Sequence, residues 1–232
     1  MSAISPTFFD IRGAPIRSLI WSFACLVPVV AAATGAWLTA LAGAGCVILA
    51  LLPKAFTRVS GLRFPDGLCT GVLVFCMAAL LLGEMAGFYG RFWWWDLGLH
   101  VVASVVLVQV GAALVLLVTA GGRPRTAIWI LATLAFGFSM MVGACWEIFE
   151  FTIDGLFGTN AQRSGLPDTM WDLVADAVGA TWGAWAVNRR LTHGSAPPGA
   201  GLLPGWMTLN PIVYPDWPEW SVEGRAPRGL AR

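Results

Sequence analysis

Apolar residues dominate this chain in six runs, which short polar segments separate. The runs cover roughly residues 18–33, 37–52, 68–89, 97–120, 126–151 and 170–187. The last four approach or exceed the ~20 residues that a helix needs to cross a ~30 Å hydrocarbon core. The first two are shorter and are interrupted by Pro28 and the Thr34–Gly35 pair. They fit a tilted pair or a re-entrant hairpin, and we predict two helices. The pattern therefore predicts an all-α, polytopic membrane bundle of about six transmembrane helices.

The composition agrees with a membrane protein and excludes one class of partner. The chain is 57% hydrophobic and only 12% charged, with a mean hydropathy of +0.72. A soluble domain of this size needs far more charged surface. The net charge is +1, and no basic stripe is present that could neutralise a run of phosphates. We therefore expect membrane lipids, and no nucleic acid, around this protein.

The basic residues predict how the spans are oriented. With six spans, twelve lysines and arginines lie on one side of the membrane, and only Arg91 and Arg163 lie on the other. Cytoplasmic loops carry the excess of basic residues. We therefore expect a bacterial inner-membrane protein with both termini in the cytoplasm. Residues 1–17 form the N-terminal lead, 18–191 the six-span domain and 192–232 a cytoplasmic tail.

The predicted tail differs in composition from the spans. It holds seven of the 14 prolines and four aromatic residues, Trp206, Tyr214, Trp217 and Trp220. Because proline removes backbone donors and blocks regular helix, we predict an extended tail. Its aromatic side chains either dip into the headgroup region or contact a membrane-protein partner through residues 195–232.

Acidic residues concentrate at the ends of the apolar runs. In the six-span orientation, eight of the 13 carboxylates share the non-cytoplasmic half of the protein, together with His100. They are Glu84, Asp96, Glu147, Glu150, Asp154, Asp168, Asp172 and Asp176. Only two arginines balance these eight carboxylates. Since charges near a membrane core are costly, they usually mark a site or pair with one another.

The spacing of these residues predicts a metal site. Asp96 and His100 are four residues apart, and two further acidic rows have helical spacing, so each set shares one helix face. Helical bundles build carboxylate–histidine metal sites in this way. The candidate ligands are His100, Glu147, Glu150, Asp172, Asp176 and Asp96. A mixed set suits Mn, Fe or Zn, whereas a carboxylate-only subset suits Ca or Mg.

Ordinary structural roles compete with this interpretation at several positions. Asp168 and Asp96 stand where a helix N-cap is expected, and Asp154 precedes a glycine where the fifth run stops. A buried histidine can also be a hydrogen-bonded core residue rather than a ligand. Ala175, Gly179 and Gly183 form a small-residue row that brings neighbouring helices close together, which favours convergence of the acidic rows.

Three ordered motifs at these residues resemble the YjdF-type family of bacterial inner-membrane proteins, a domain of unknown function. The motifs are Trp95-Asp96 through His100, Trp146-Glu147-x-x-Glu150 continuing to Asp154, and Asp168-Thr169 through Asp172, Asp176, Gly179 and Ala180. The resemblance covers residues 18–190 and implies six spans in the inner membrane. It implies no established activity.

Two functions follow from the sequence. The first is a membrane protein that binds a divalent metal and acts on a lipid-like substrate, with the ion activating water. The second is a non-catalytic subunit of a larger membrane complex, docked through its tail, in which the acidic cluster locks helices together. A cation-coupled transporter is less favoured, because the charged residues cluster on one side and no half-helix repeat is evident.

Overall fold

A computed structural model of the chain describes residues 14–119, 126–194 and 197–215. These residues contain helices and turns without strands, which confirms the all-α prediction. They fall into two compact units, divided between Asp96 and Leu97. The N-terminal lead up to residue 13 and the distal tail from residue 216, with Trp217 and Trp220, lie outside the described residues.

The first unit begins with two antiparallel helices and a third, irregular one. Its helices are α1 (Ala14–Ala33), α2 (Trp37–Ser60), α3 (Asp66–Cys76), a π-helical continuation of α3 (Met77–Met85) and the short α4 (Phe88–Arg91). The turn between α1 and α2 lies at Thr34–Gly35, where Gly35 has a φ of 77°. The prediction of two separate helices for the first two apolar runs is therefore confirmed.

Small residues let the helices of the first unit approach closely. Its core contains Ala24, Cys46, Ala50 and Leu73, all nearly fully buried. The Trp21 indole on α1 donates a 3.2 Å hydrogen bond to the Thr70 hydroxyl on α3. Neither unit's apolar exterior needs to be covered by protein, since lipid tails contact such side chains favourably.

The second unit carries the acidic rows. It comprises α5 (Trp95–Val118, whose first two residues precede the division), α6 (Ile128–Phe157), α7 (Leu166–His193) and α8 (Leu202–Leu209). Close contacts show the relative directions of α5 and α6. Ser139 on α6 donates to the Ser104 carbonyl on α5, and further along α5 the contacts move back along α6, to Ala135 at Gly111. The helices α5 and α6 are therefore antiparallel.

The contacts of two glycines on α7 show the direction of this helix relative to α5. A Cβ added to Gly179 would lie 2.4 Å from the Val101 carbonyl oxygen, and one added to Gly183 would lie 3.0 Å from Val108 Cβ. Positions later on α7 thus meet positions later on α5, so these two helices run parallel. The predicted small-residue row on α7 is therefore at a tight helix–helix contact.

Five helices in the described residues are long and apolar enough to cross a membrane. They begin with α1 and α2, continue with the α3–π segment (Gly67–Met85), and end with α5 and α6. The predicted sixth span, α7, is long enough at 28 residues but is less apolar than the other long helices and is not among the five. About six spans was the prediction, and five meet these criteria.

The tail departs from the extended conformation that its prolines predict. Residues 202–209 form α8, and five of its side chains are buried within the second unit. Pro204 does not prevent this, because it is the third residue of α8, where a backbone N–H has no helical acceptor. Tyr214, after α8, is also fully buried. Residues 197–215 are thus part of the fold.

Candidate metal-binding site

Three helices of the second unit bring the acidic rows to one imidazole. His100 lies in the second turn of α5, Glu147 lies on α6, and Asp172 and Asp176 lie one turn apart on α7. These helices pack so closely at this level that the three carboxylates are only 2–4% exposed. We call these four residues the polar cluster.

Both ring nitrogens of His100 face carboxylates. Nδ1 lies 3.1 Å from Asp176 Oδ1, at hydrogen-bond distance. Nε2 lies 3.9 Å from Glu147 Oε1 and 4.0 Å from Asp172 Oδ1. An ionised carboxylate only accepts hydrogen bonds, so the proton in the hydrogen bond to Asp176 is carried by Nδ1 of His100. In the neutral imidazole, the lone pair of Nε2 then faces Glu147 and Asp172.

Two serines complete the surroundings of Asp176. The Ser104 hydroxyl donates a 2.7 Å hydrogen bond to Asp176 Oδ1, and the Ser139 hydroxyl donates a 3.1 Å hydrogen bond to the Ser104 carbonyl. The same carboxylate oxygen therefore accepts from His100 and Ser104. These bonds hold Asp176 in one orientation and connect α5, α6 and α7.

Other carboxylate oxygens in the polar cluster are buried without a hydrogen-bond partner. They are both oxygens of Glu147 and Oδ2 of Asp176. The Thr169 hydroxyl on α7 is near Glu147 but forms no hydrogen bond of normal geometry with it. Within the described residues, no lysine or arginine side chain lies within 4 Å of these two carboxylates. A buried carboxylate without a donor is costly, so the polar cluster needs a cation or protons to neutralise it.

Gly143 makes room for this arrangement. It lies on α6, one turn before Glu147, and a Cβ at this position would be 2.1 Å from Asp176 Oδ2. Any larger residue would displace the carboxylate. Sequence reasoning missed Gly143, Ser104 and Ser139, although Ser104 follows His100 by four residues and so continues the same helix face.

Asp96 extends the polar cluster along α5. It stands one turn before His100, and one ligand atom from each of Asp96, His100 and Asp172 lies within 4.8 Å of the others. It is the second residue of its helix. The alternative of an N-cap role for Asp96 therefore does not match its position, because an N-cap residue precedes the first helical turn.

The remaining predicted residues have separate places. Glu150 is half-buried on α6, three residues after Glu147, and Glu84 is exposed in the first unit. Asp168 is the third residue of α7, whose N-cap is Gly165, so the N-cap interpretation of Asp168 is wrong. Its Oδ2 instead accepts a hydrogen bond from the Arg163 backbone N–H.

Asp154 organises the loop that connects α6 to α7. Its carboxylate accepts hydrogen bonds from the Thr159 hydroxyl at 2.5 Å and from the backbone N–H groups of Ala161 and Gln162. The Gln162 side chain donates in turn to Thr169 on α7. Asp154 is itself helical, because α6 continues to Phe157, so the prediction that it is a turn residue is wrong. Its contacts with the loop still explain one acidic residue without a metal.

The donor types in the polar cluster suit a metal ion. Two donors that are each ~2.1 Å from a common ion are ~3.0 Å apart in adjacent octahedral positions and ~3.4 Å apart in a tetrahedron. The Nε2 contacts of 3.9 and 4.0 Å are longer than this, so the side chains would have to close around an ion. Asp176, bound to Nδ1, matches the carboxylate that orients a metal-ligating histidine. Asp96, His100 and Asp172 could together hold an ion, with Glu147 facing Nε2 and Asp176 orienting the imidazole.

Comparison with known proteins identifies relatives without an assigned activity. A family model described as "Predicted membrane protein (DUF2238)" matches residues 16–193. An uncharacterized protein of Thermotoga maritima is 30% identical over 112 residues, which are 48% of this chain and 57% of that relative. The match thus spans little more than half of the relative's length. No solved structure matches the chain.

Proposed function

This chain belongs to the DUF2238 family of predicted membrane proteins, and from that premise and the polar cluster we propose that it binds a divalent metal ion within the membrane domain. His100, Glu147 and Asp172 are the ligands, and Asp96 supplies a further carboxylate. Asp176 is a positioning residue, because it acts on the ion through the His100 ring. Glu150, one of the ligands that the spacing predicts, lies further along α6.

The unpartnered oxygens of Glu147 carry this proposal. Both are buried, and the nearest group able to neutralise their charge is the imidazole 3.9 Å away. A protonated glutamic acid would still need an acceptor for its own proton. An ion bound by Glu147, Asp172 and Nε2 would neutralise the buried Glu147 carboxylate.

The donor chemistry narrows the choice of ion. An imidazole among carboxylates suits Mn, Fe or Zn, whereas Ca and Mg prefer oxygen ligands alone. Such an ion, when bound, supplies Lewis acidity and can activate a water molecule. The His100 side chain is 11% exposed, against 4% or less for its carboxylate neighbours. A substrate would therefore approach on the imidazole side, and at membrane depth a lipid-like molecule fits this approach.

The proposed location is the bacterial inner membrane, with six spans and both termini in the cytoplasm. The sixth span is α7, which runs parallel to α5 and packs against it along the small-residue row. Its charged residues Asp172 and Asp176 point into the protein, and its exposed face is apolar. That face contains Trp171, Val174, Val178, Trp182 and Trp185. Charged residues that face the protein and apolar residues that face outward suit a helix in contact with lipid.

A C-terminal reporter on the full chain distinguishes six spans from five. We expect a green fluorescent protein fused after Arg232 to be fluorescent in bacterial cells, and alkaline phosphatase at the same position to be inactive. Of the twelve basic residues behind this expectation, Arg12, Arg123, Arg125, Arg225, Arg228 and Arg232 lie outside the described residues. Active phosphatase together with a dark fluorescent fusion would mean that α7 does not cross.

Metal-dependent stabilisation tests the proposed function. A ligand at 100 times its dissociation constant stabilises the folded state by ~2.7 kcal/mol. We expect Mn²⁺ or Zn²⁺ to raise the unfolding midpoint of the purified, chelator-treated protein by several degrees. Glu147→Gln and Asp172→Asn should each abolish the rise. Glu84→Gln, which changes an exposed carboxylate in the other unit, should keep it. An equal rise in all four proteins would contradict binding at the polar cluster.

A structural lock is the second candidate function, and the serine contacts favour it. Ser139, Ser104, Asp176 and His100 form a continuous set of contacts across three helices. In that case, the protein would be a non-catalytic subunit of a larger membrane complex. Metal ions would then leave the unfolding midpoint unchanged, while Asp176→Asn and Ser104→Ala would lower it.

A further inference from the structure

We propose that residues 197–215 form a re-entrant membrane segment, which enters the bilayer beside α5 and α7 and leaves on the side from which it came. The proposal concerns the tail and is independent of the metal. It rests on the depth at which successive residues of this segment contact the two helices.

Contacts with α5 give the first measure of depth. A Cβ on Gly199 would lie 2.9 Å from Val105 Cγ1, and the Gln109 side chain contacts the Gly199 carbonyl and the N–H groups of Leu202 and Leu203. Val105 lies 13 residues before the end of α5 at Val118, or ~20 Å along a helix axis. The start of the segment is therefore close to the middle of α5.

The contacts then return toward the end of α5. Leu202 and Leu203 are at Gln109, and the Tyr214 hydroxyl donates a 3.1 Å hydrogen bond to the Ala113 carbonyl. Along the segment, the contact position on α5 moves from 105 through 109 to 113. The segment therefore returns toward the side of the membrane on which α5 ends.

Contacts with α7 give the same depth independently. The Trp182 indole donates a 3.0 Å hydrogen bond to the Pro198 carbonyl. Trp182 lies 11 residues before the end of α7 at His193, or ~16 Å along the axis. The helix α7 thus ends at His193, and Pro198 lies about three helical turns back from that end along the α7 axis.

Gln109 makes this path possible. Non-helical backbone at membrane depth is tolerated only where protein or a water-filled cavity satisfies its polar groups. The Gln109 amide is 2% exposed, and it accepts from the N–H groups of Leu202 and Leu203 at 2.8 and 3.2 Å while donating to Gly199. It thereby caps the N-terminus of α8. A polar residue in the middle of an apolar span is costly unless it has such a role.

The path has consequences for both ends of the second unit. Trp206 and Tyr214, which the sequence offers as contacts for a partner, are buried in the chain's own fold. The proposed partner surface is therefore restricted to the tail beyond residue 215. The tip at Gly199 lies at Val105, five residues or ~8 Å beyond His100 along α5. The segment thus fills the membrane half opposite the polar cluster.

Depth-dependent accessibility tests the proposal. In full-length protein whose five native cysteines are replaced, Pro198→Cys and Ile212→Cys carry a nitroxide label in lipid vesicles. Pro198 is exposed on the protein surface and is placed deep, whereas Ile212 is 95% exposed near the exit. We expect the label at 198 to collide at least threefold more with lipid-soluble oxygen, relative to a water-soluble nickel chelate, than the label at 212.

A Gln109 variant shows whether the Gln109 side chain holds residue 198 deep in the membrane. Gln109→Leu removes both the acceptor and the donor, so the label at 198 should become several-fold more accessible to the nickel chelate. Gln162→Leu, in the connection between α6 and α7, should leave it unchanged. Equal accessibility at 198 and 212 in the protein that keeps Gln109 would overturn the proposal. An accessibility at 198 that Gln109→Leu leaves unchanged would also overturn it. The cysteine-free protein must first match the unfolding midpoint of the native chain.

Discussion

Replacing Gly179 by alanine is expected to force α5 and α7 apart and to destabilise the protein strongly. The added Cβ would lie 2.4 Å from the Val101 carbonyl oxygen and 2.9 Å from Val101 Cα. These are backbone atoms of a neighbouring helix, so no side chain can rotate away to relieve the contact. Overpacking typically costs ~1–3 kcal/mol, and we expect the upper end here. For a protein of this size, that is a fall of about 6–12 °C in the unfolding midpoint.

Gly137→Ala is the matched control for this substitution. It also lies inside a helix of the second unit, on α6, but a Cβ there meets nothing within 4 Å. Its unfolding midpoint should be unchanged or slightly higher, because alanine favours helix over glycine by up to ~1 kcal/mol. Equal midpoints for the two variants would show that α5 and α7 are not in close contact.

The second large effect is expected from His100→Leu. This change removes the group that faces three buried carboxylates, and leaves Asp176 with the Ser104 hydroxyl as its remaining donor. Removing a hydrogen-bond donor from a buried carboxylate costs ~1–3 kcal/mol or more, so the metal-free protein should be destabilised by at least about this amount. Metal-dependent stabilisation should also disappear. His193→Leu, which changes the chain's other histidine, at the end of α7, is the control.

A double-mutant cycle shows whether the loss comes from the polar cluster. Adding Asp176→Asn to His100→Leu replaces a carboxylate by a neutral amide, which costs less to bury. The double variant should then be more stable than the sum of the two single changes predicts, by ~1 kcal/mol or more. Strict additivity would mean that His100 and Asp176 do not interact in the folded protein.

The helical architecture could be predicted because lipid imposes a simple requirement on the sequence. Each apolar run must satisfy its backbone within one helix, so run length alone predicts where α5 and α6 begin. The fourth run, at 97–120, agrees with α5 at Trp95–Val118, whereas α6 continues past the end of the fifth run, at 151, to Phe157. The predicted end of the second run was less accurate: α2 continues past Pro53 and Lys54 to Ser60. A charged residue near a helix end does not stop a helix that has left the apolar core.

The acidic rows predict that polar residues of α5, α6 and α7 meet, as the structure has them, but helical spacing cannot rank the residues involved. Helical spacing places Glu147 and Glu150 on one face equally well, and only the packing of α6 against α5 brings Glu147 to the imidazole. The tautomer of His100 depends on Asp176, a residue 76 positions away on another helix. Gly143 was missed for the same reason, since the group that needs its space lies on α7.

The tail was the least predictable part of the chain. Seven prolines indicate an extended conformation when only local backbone preferences are considered. The buried position of Tyr214 and the helix α8 depend on the acceptors at Gln109 and Ala113, about 100 residues earlier. Gln109 itself carried a usable signal, because an uncharged but strongly polar side chain stands in the middle of an otherwise apolar span.

Metal content in the purified full-length protein is the most direct test of metal binding at the polar cluster. The measurement is elemental analysis of protein from cells grown with manganese, iron and zinc, after removal of loosely bound ions. We expect about one transition-metal ion per chain, and its loss in the Glu147→Gln and Asp172→Asn variants. A folded protein that holds no metal, with a midpoint no different from that of its metal-treated form, would contradict it.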